Sequence, residues 1–295
     1  NYSYIKNHNI DEIYYRLTDA YTLKSLKLNF YYNIINDIIL FILSFLFILS
    51  FNLQAQLHNG SIIVGEDKAV STPFFSATAG WTFPFGEMQN RYESFMNINA
   101  TLGWKTEKNW IWNLEFAFQF GSDNVKIKND ILSNMMTNAT DPFIISQAGT
   151  DAGLVAYNRN LSLSFFGGKV IPLWFSNPNS GLMITVGVGF IQHQIIYQNT
   201  LEMAPQIQDD YAYGYDRQMR GPMVSAFVGY IHMSKNSFAN FYAGVQFDNA
   251  WTKMTRDYQF DLRGGDDNVY LDQMLTLKVG WMFPFFGRDS DKIYF

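Results

Sequence analysis

The chain has 295 residues, of which 48% are hydrophobic, 18% are aromatic and only 16% are charged, and its formal net charge is −5. It has no basic block, which argues against a nucleic-acid partner, because that kind of binding needs clustered lysine and arginine. The sequence has no cysteine, so thiolate metal sites, disulfides and thiol nucleophiles are excluded. Four histidines do not favour a histidine-rich metal site. We expect no metal and no cofactor.

A long apolar run lies near the start of the chain. Residues 38–56, IILFILSFLFILSFNLQAQ, place the small Ala55 at a plausible cleavage point, and Lys24 and Lys27 lie upstream. This pattern is typical of a secretory signal peptide, and the run is slightly short for a spanning helix. A retained N-terminal anchor is the alternative. We interpret residues 1–37 as upstream or signal n-region sequence, 38–56 as the signal core and cleavage region, and 57–73 as a periplasmic lead-in.

From residue 74 onward, large apolar side chains alternate with small, polar or charged ones. Strict alternation over ten or so residues predicts β-strands rather than helices. The length also matches the roughly 9–11 residues with which a tilted strand crosses a bilayer. The alternating segments are 74–83, 95–104, 110–120, 160–169, 182–192, 222–232, 240–251 and 271–283.

The links between these segments also alternate in length. Short links at 105–109, 171–181 and 233–239 follow the second, fourth and sixth segments, and longer links follow the third, fifth and seventh. Short periplasmic turns alternating with longer external loops are characteristic of outer-membrane barrels. Tryptophan, which favours membrane interfaces, falls near both ends of the segments. The predicted inner rim holds Trp104, Trp110, Trp112, Trp174 and Trp281, and the outer rim holds Trp81 and Trp251.

These patterns predict an all-β fold, an eight-stranded antiparallel up-and-down transmembrane β-barrel over residues 74–286, followed by a polar C-terminal tail over 287–295. Closing the sheet would leave no unpaired backbone edge in lipid. The alternative is a soluble β-sandwich or lipocalin-like barrel with the apolar faces turned inward. The faces opposite the bulky residues are rich in Gly, Ser, Asn and Thr, which would cover a soluble surface poorly.

The interior of an eight-stranded barrel is just wide enough to be filled by side chains. Glu115, Asp248 and Lys278 belong to the predicted inward faces. Because unpaired charge in a narrow space is costly, we predict that Glu115 or Asp248 pairs with Lys278 or with an arginine. Such a polar network would form a structural plug. A gated narrow channel is the alternative.

Some small outer-membrane barrels are lipid-modifying enzymes that use a His-x-Ser pair with an acidic partner. His232 and Ser234 have this spacing, in which an imidazole could activate a hydroxyl. The pair falls at a predicted inner turn, away from the outer leaflet, so we predict no enzyme activity; an enzyme that modifies outer-leaflet lipid is the alternative. His193 is interpreted as a hydrogen-bonded lumen or loop-base residue.

Two loop segments contain candidate binding groups. DLRGGDDN at 261–268 offers carboxylates, but it lacks the spacing of an EF-hand calcium loop, and a solvated turn is favoured. DDYAYGYDRQMRGP at 209–222 interleaves tyrosines with charged residues, a composition that favours a binding surface. A membrane-interface girdle would explain the tyrosines equally well. The candidate binding residues there are Tyr211, Tyr213, Tyr215 and Arg217.

The motifs GWKTEKNW, GYDRQMRGP, FVGY and VGWMFPFFGRDSDKIYF together resemble those of a family of small eight-stranded outer-membrane β-barrel proteins of Bacteroidota. The resemblance covers roughly residues 60–295 and implies the barrel fold, with no catalytic residues to assign. It also implies, by analogy, an accessory role in an envelope secretion or assembly machine. We therefore expect a structural or partner-binding barrel. Its partners would be outer-membrane lipid and a protein at its loops or periplasmic turns.

Overall fold

A computed structural model describes residues 69–173, 177–199, 204–234 and 239–285. The predicted signal peptide, Trp174 and the C-terminal tail lie outside the described residues. Eight antiparallel strands follow one another in chain order and close into a barrel when β8 pairs with β1. The predicted fold class is confirmed. The strands are β1 Thr72–Gly86, β2 Phe95–Lys105, β3 Trp110–Phe120, β4 Leu154–Pro172, β5 Gly181–Asn199, β6 Met219–His232, β7 Phe241–Met254 and β8 Val269–Pro284.

The alternating pattern puts bulky apolar side chains on the outside of the barrel. Val186, Val228 and Leu277 are 63%, 49% and 49% exposed, whereas their inward neighbours Thr185 and Lys278 are buried. Successive residues of a strand face opposite sides of the sheet, so the period of two in the sequence becomes an outer and an inner surface. The soluble alternative, with the apolar faces turned inward, is wrong.

The strand connections divide into two ends, which we call the loop end and the turn end. The loop end carries L1 (87–94), L2 (121–153), L3 (its described part being 204–218) and L4 (255–268), and the turn end carries the short links after β2, β4 and β6. L1 contains the short helix α1, Met88–Arg91, and L2 contains α2, Lys128–Leu132. Among the described residues, no helix is both long and apolar enough to cross a membrane.

The lumen is filled in layers. At the turn end, an apolar cluster includes Phe74, Ile111, Phe227 and Met282. At the loop end, residues of L1, L2 and L3 pack onto the upper inward faces of the strands and form a second apolar cluster. Polar and charged side chains, including Glu115, Asp248 and Lys278, occupy the space between the two clusters.

Small inward residues make room for the large ones. Tyr242 of β7 lies against Gly280 of β8, where an added Cβ would come within 2.5 Å of the tyrosine Cζ. The Tyr242 hydroxyl hydrogen-bonds the Thr78 hydroxyl of β1, the strand on the other side of β8, at 2.7 Å. Glycine at this inward position therefore allows the ring to lie over β8 and reach β1.

Candidate functional site

The three charged residues predicted for the lumen lie together in its polar middle layer. Lys278 Nζ donates to Glu115 Oε1 at 2.6 Å and to Gln246 Oε1 at 2.5 Å. The Gln246 amide then donates to Asp248 Oδ1 at 2.8 Å. All four side chains are buried. The sequence pattern did not single out Gln246, although its parity on β7, two residues before Asp248, places it on the same inward face.

The space around this network is small. A cavity of about 20 Å³ borders Glu115, Gln246 and Lys278, which is room for about one water molecule. Phe74, Phe227 and Met282 line the same cavity from the turn end. The geometry is that of a hydrogen-bonded plug that fixes β3 to β7 and β8 through the lumen. A charge-assisted hydrogen bond of this kind is stronger than a neutral one.

A second buried polar cluster lies closer to the loop end, around Asp272 of β8. Its Oδ1 pairs with the Arg91 guanidinium from L1. Its Oδ2 meets His193 Nε2 of β5 at 2.9 Å and accepts a hydrogen bond from the Thr252 hydroxyl of β7 at 2.5 Å. One carboxylate thus joins L1 to three strands. His193 is the lumen histidine expected from the sequence, whereas the roles of Arg91 and Thr252 had no sequence signal.

Tyr92 extends this cluster by one step. Its hydroxyl lies 3.3 Å from His193 Nδ1, so hydroxyl, imidazole and carboxylate stand in a row, as they do where a hydroxyl is activated for attack. Burial raises the pKa of the Tyr92 phenol, which keeps its proton available to donate to the imidazole. Tyr92, His193 and Asp272 are all completely buried. The row therefore anchors L1 and has no surface open to a substrate.

At the loop end, two ion pairs tie L3 to L4. Arg256 binds both oxygens of Asp216, with Nε at 3.1 Å and Nη2 at 2.5 Å from Oδ2, and Arg217 pairs with Asp261. Gln259 Nε2 also donates to the Tyr213 carbonyl at 3.1 Å. L3 and L4 consequently form one surface, although they are far apart in the chain.

The four predicted binding residues of L3 separate into two groups. Tyr211 and Tyr213 are 63% and 54% exposed, and the Arg256 guanidinium stacks 4.5 Å from the centre of the Tyr213 ring. Tyr215 is half-buried against Phe260, and Arg217 is held in its ion pair. The sequence pattern did not single out the exposed side chains that L4 adds to this surface, namely Tyr258, Phe260 and Leu262.

The remaining sequence candidates lie apart from one another. His232 ends β6 at the turn end and stacks near Phe241, and the backbone N–H of Ser234 donates to Asn240 Oδ1 at 2.7 Å. Asp266 of L4 accepts a hydrogen bond from the Tyr270 hydroxyl of β8, which lowers the pKa of that carboxyl. Asp267 pairs instead with Lys253 at 2.8 Å. The described residues contain no cluster of metal-ligating side chains.

The arrangement defines an eight-stranded up-and-down barrel with a filled lumen and a joined loop surface. No protein-family model matches the sequence, and no curated protein matches it. Solved structures with a similar fold include Neisserial surface protein A, at 8% identity with a TM-score of 0.38, covering 73% of this chain and 99% of that one.

Two further structures share the fold at similarly low identity. One is Ail, the attachment invasion locus protein of Yersinia pestis, in complex with the heparin analogue sucrose octasulfate, at 10% identity, a TM-score of 0.37 and coverage of 72% and 99%. The other is a major outer membrane protein from Thermus thermophilus, at 10% identity, a TM-score of 0.36 and the same coverage. The likeness is one of fold alone.

Proposed function

We propose that this chain is an integral outer-membrane β-barrel protein without enzyme activity, which acts as a structural or partner-binding component through its extracellular loops. An accessory role in an envelope secretion or assembly machine, in the Bacteroidota family that the sequence motifs resemble, belongs to the same proposal. The observation that carries it is the outer surface of the barrel, which is apolar where a soluble protein would be charged.

This apolar band continues around the whole barrel. Every strand contributes at least one large apolar side chain that is more than a third exposed. A contiguous apolar surface of this extent exceeds what soluble monomers carry. Among β-sheets, only a closed barrel satisfies all backbone hydrogen bonds within hydrocarbon. The exposed band includes Trp81, Ile98, Leu114, Leu163, Val186, Val228, Val245 and Leu277.

Aromatic side chains mark both edges of the band. Trp104 and Trp281 are exposed toward the turn end, and Trp81 and Trp251 toward the loop end. Indole favours interfaces because it has an apolar face and one polar N–H. With the turn end in the periplasm, as is usual for such barrels, L3 and L4 face the outside of the cell.

The membrane placement is tested by expressing the full chain in a Gram-negative host and separating its inner and outer membranes. We expect the protein in the outer-membrane fraction, and we expect the purified, refolded protein to float with lipid vesicles. A detergent-free monomer in aqueous buffer would refute the placement.

Partner binding at the loops is tested with the exposed tyrosines. Tyr211→Ser with Tyr213→Ser removes two large, exposed side chains, of which Tyr213 also stacks with Arg256, and crosslinked pull-down is compared with wild type. Ile145→Ser in L2, where the side chain is 51% exposed, is the matched control. We expect the tyrosine variant alone to lose the crosslinked partner. Recovery of the wild-type barrel without any partner in stoichiometric amount would count against this role.

A further inference from the structure

Three basic side chains project outward on neighbouring strands at the loop end of the barrel. They are Arg159 of β4, Arg220 of β6 and Lys253 of β7, and all three are exposed. Arg220 lies directly opposite Lys253 in the β6–β7 register and opposite Gln192 on β5. Arg159 lies opposite Gln194 on β5. The three cations therefore occupy one arc of the rim over four consecutive strands, which we call the basic arc.

The basic arc lies just beyond the apolar band. The next outward residue toward the middle of each strand is apolar: Leu161 on β4, Pro222 on β6 and Trp251 on β7. Two residues along a tilted strand correspond to about 5 Å of depth. In the membrane placement proposed above, the three cations therefore lie at the level of the polar headgroups of the outer leaflet.

The basic arc is positive, whereas the chain as a whole has a negative net charge. The sequences of β4, β5 and β6 contain no acidic residue, and the one carboxylate of β7, Asp248, is buried in the lumen. On the other side of the barrel, L1 carries the exposed Glu87 and Glu93. The formal net charge of the chain is −5, so the positive arc is a local feature.

These three cations have little counter-charge from the protein itself. Arg220 makes no ion pair within the described part of the chain, and Arg159 lies 6.0 Å from the centre of the Tyr157 ring. Lys253 reaches Asp267, but both side chains are well exposed, and such surface pairs contribute little. Like charges placed opposite each other in a sheet are destabilising. An anion bound between Arg220 and Lys253 would remove that repulsion.

We propose that the basic arc binds phosphate groups on the headgroup of an anionic outer-leaflet glycolipid. An arginine holds two phosphate oxygens at once through its planar set of N–H donors, and a lysine adds a mobile point charge. The apolar residues directly below the arc contact the acyl chains of the same lipid. This inference rests on the proposed membrane function and adds to it a class of ligand and the residues that bind it.

The test compares lipid retention by the refolded full chain in detergent micelles, measured by native mass spectrometry. The probes are bis-phosphorylated lipid A and chemically dephosphorylated lipid A. The variant combines Arg159→Gln, Arg220→Gln and Lys253→Gln. We expect wild type to retain the phosphorylated lipid preferentially. We expect the variant to bind it at least about tenfold more weakly, as the loss of a single charge-assisted hydrogen bond would already cause.

The control is a second triple variant, Lys108→Gln with Lys126→Gln and Arg263→Gln. It removes the same amount of charge from exposed side chains at the turn end, in L2 and in L4. It should bind like wild type. Equal weakening in both triple variants, or equal retention of the two lipids by wild type, would overturn the proposal. Inorganic phosphate is added as a competitor. Displacement at concentrations comparable to those of the lipid would mark a site for free anion and overturn a lipid site.

Vesicle flotation of refolded wild-type protein distinguishes failure of the membrane placement from failure of the lipid site. A protein that does not float with phosphatidylcholine vesicles refutes the membrane placement, and the lipid site with it. A protein that floats but shows no preference for phosphate refutes the lipid site alone.

Discussion

Asp272 shows how one buried carboxylate can fix a loop that has little structure of its own. L1 has only eight residues and a single helical turn, yet Arg91 and Tyr92 are drawn into the lumen by the cluster around Asp272 and His193. A buried charge is tolerated only when it is paired and hydrogen-bonded. The carboxylate and the guanidinium therefore hold each other in place.

Asp272→Asn keeps the size of the side chain but leaves Arg91 without its counter-charge. We expect the free energy of unfolding to fall by about 3 kcal/mol, the usual cost of breaking a buried ion pair from one side. Urea unfolding in lipid vesicles, followed by tryptophan fluorescence, measures it. Asp267→Asn in exposed L4 is the control and should have little effect. Comparable stability of both variants would mean that the Asp272 cluster does not anchor L1.

At the scale of the strands, the alternating sequence pattern extends only as far as the two faces of a strand meet different surroundings. The alternation predicts 160–169 and 182–192, whereas β4 and β5 run over Leu154–Pro172 and Gly181–Asn199. Their added residues pair with each other beyond the end of β3, since Phe120 lies opposite Arg159. There the outward faces carry polar residues as well as apolar ones, because these residues lie beyond the hydrocarbon and need not be apolar. The difference between alternate residues is therefore smaller, and the sequence pattern ends before the strands do.

Val186 of β5 tests the assignment of faces. Its side chain points away from the lumen near the middle of the apolar band, so Val186→Arg should destabilise the folded barrel in lipid by about 2–4 kcal/mol, the cost of a basic residue near the midplane. Ser122→Arg, at an exposed position of L2, should change little. Refolding into vesicles and urea titration give both values. Equal tolerance of the two changes would contradict the assignment.

At the scale of the whole molecule, the layered filling of the lumen determines whether ions can pass. The turn-end cluster, the Lys278 network and the loop-end cluster lie one above another along the barrel. The cavity beside Lys278 holds about one water molecule. A continuous water path would need several of these side chains to move together.

We therefore expect no steady single-channel conductance from the purified wild-type protein in planar bilayers. Phe74→Ala with Phe227→Ala removes two rings of the turn-end cluster and should raise the frequency of conducting events. Trp251→Ala, on the outer surface, is the control and should leave the lumen closed. Regular conductance steps in wild type would favour the narrow-channel alternative over a closed plug.

The sequence alone determined the barrel. A strand exposes alternate residues to different surroundings, so lipid on one side and a narrow polar lumen on the other leave a period of two that can be read directly. The same parity places Glu115, Asp248 and Lys278 inward. Periodicity predicts which side of the sheet each residue faces. It does not predict how far along the barrel axis the residue lies, or which residue on another strand it contacts.

The tertiary structure decided which groups meet. Glu115 and Lys278 are 163 residues apart, and their contact depends on the register of all the strands around the barrel. Arg91 reaches Asp272 only because L1 folds inward, and L4 joins the surface of Tyr211 and Tyr213 through the ion pairs that link L4 to L3. Loops lack a repeating environment, so no period in their sequence encodes these contacts. They follow from closure of the sheet, which brings distant segments to one end of the barrel.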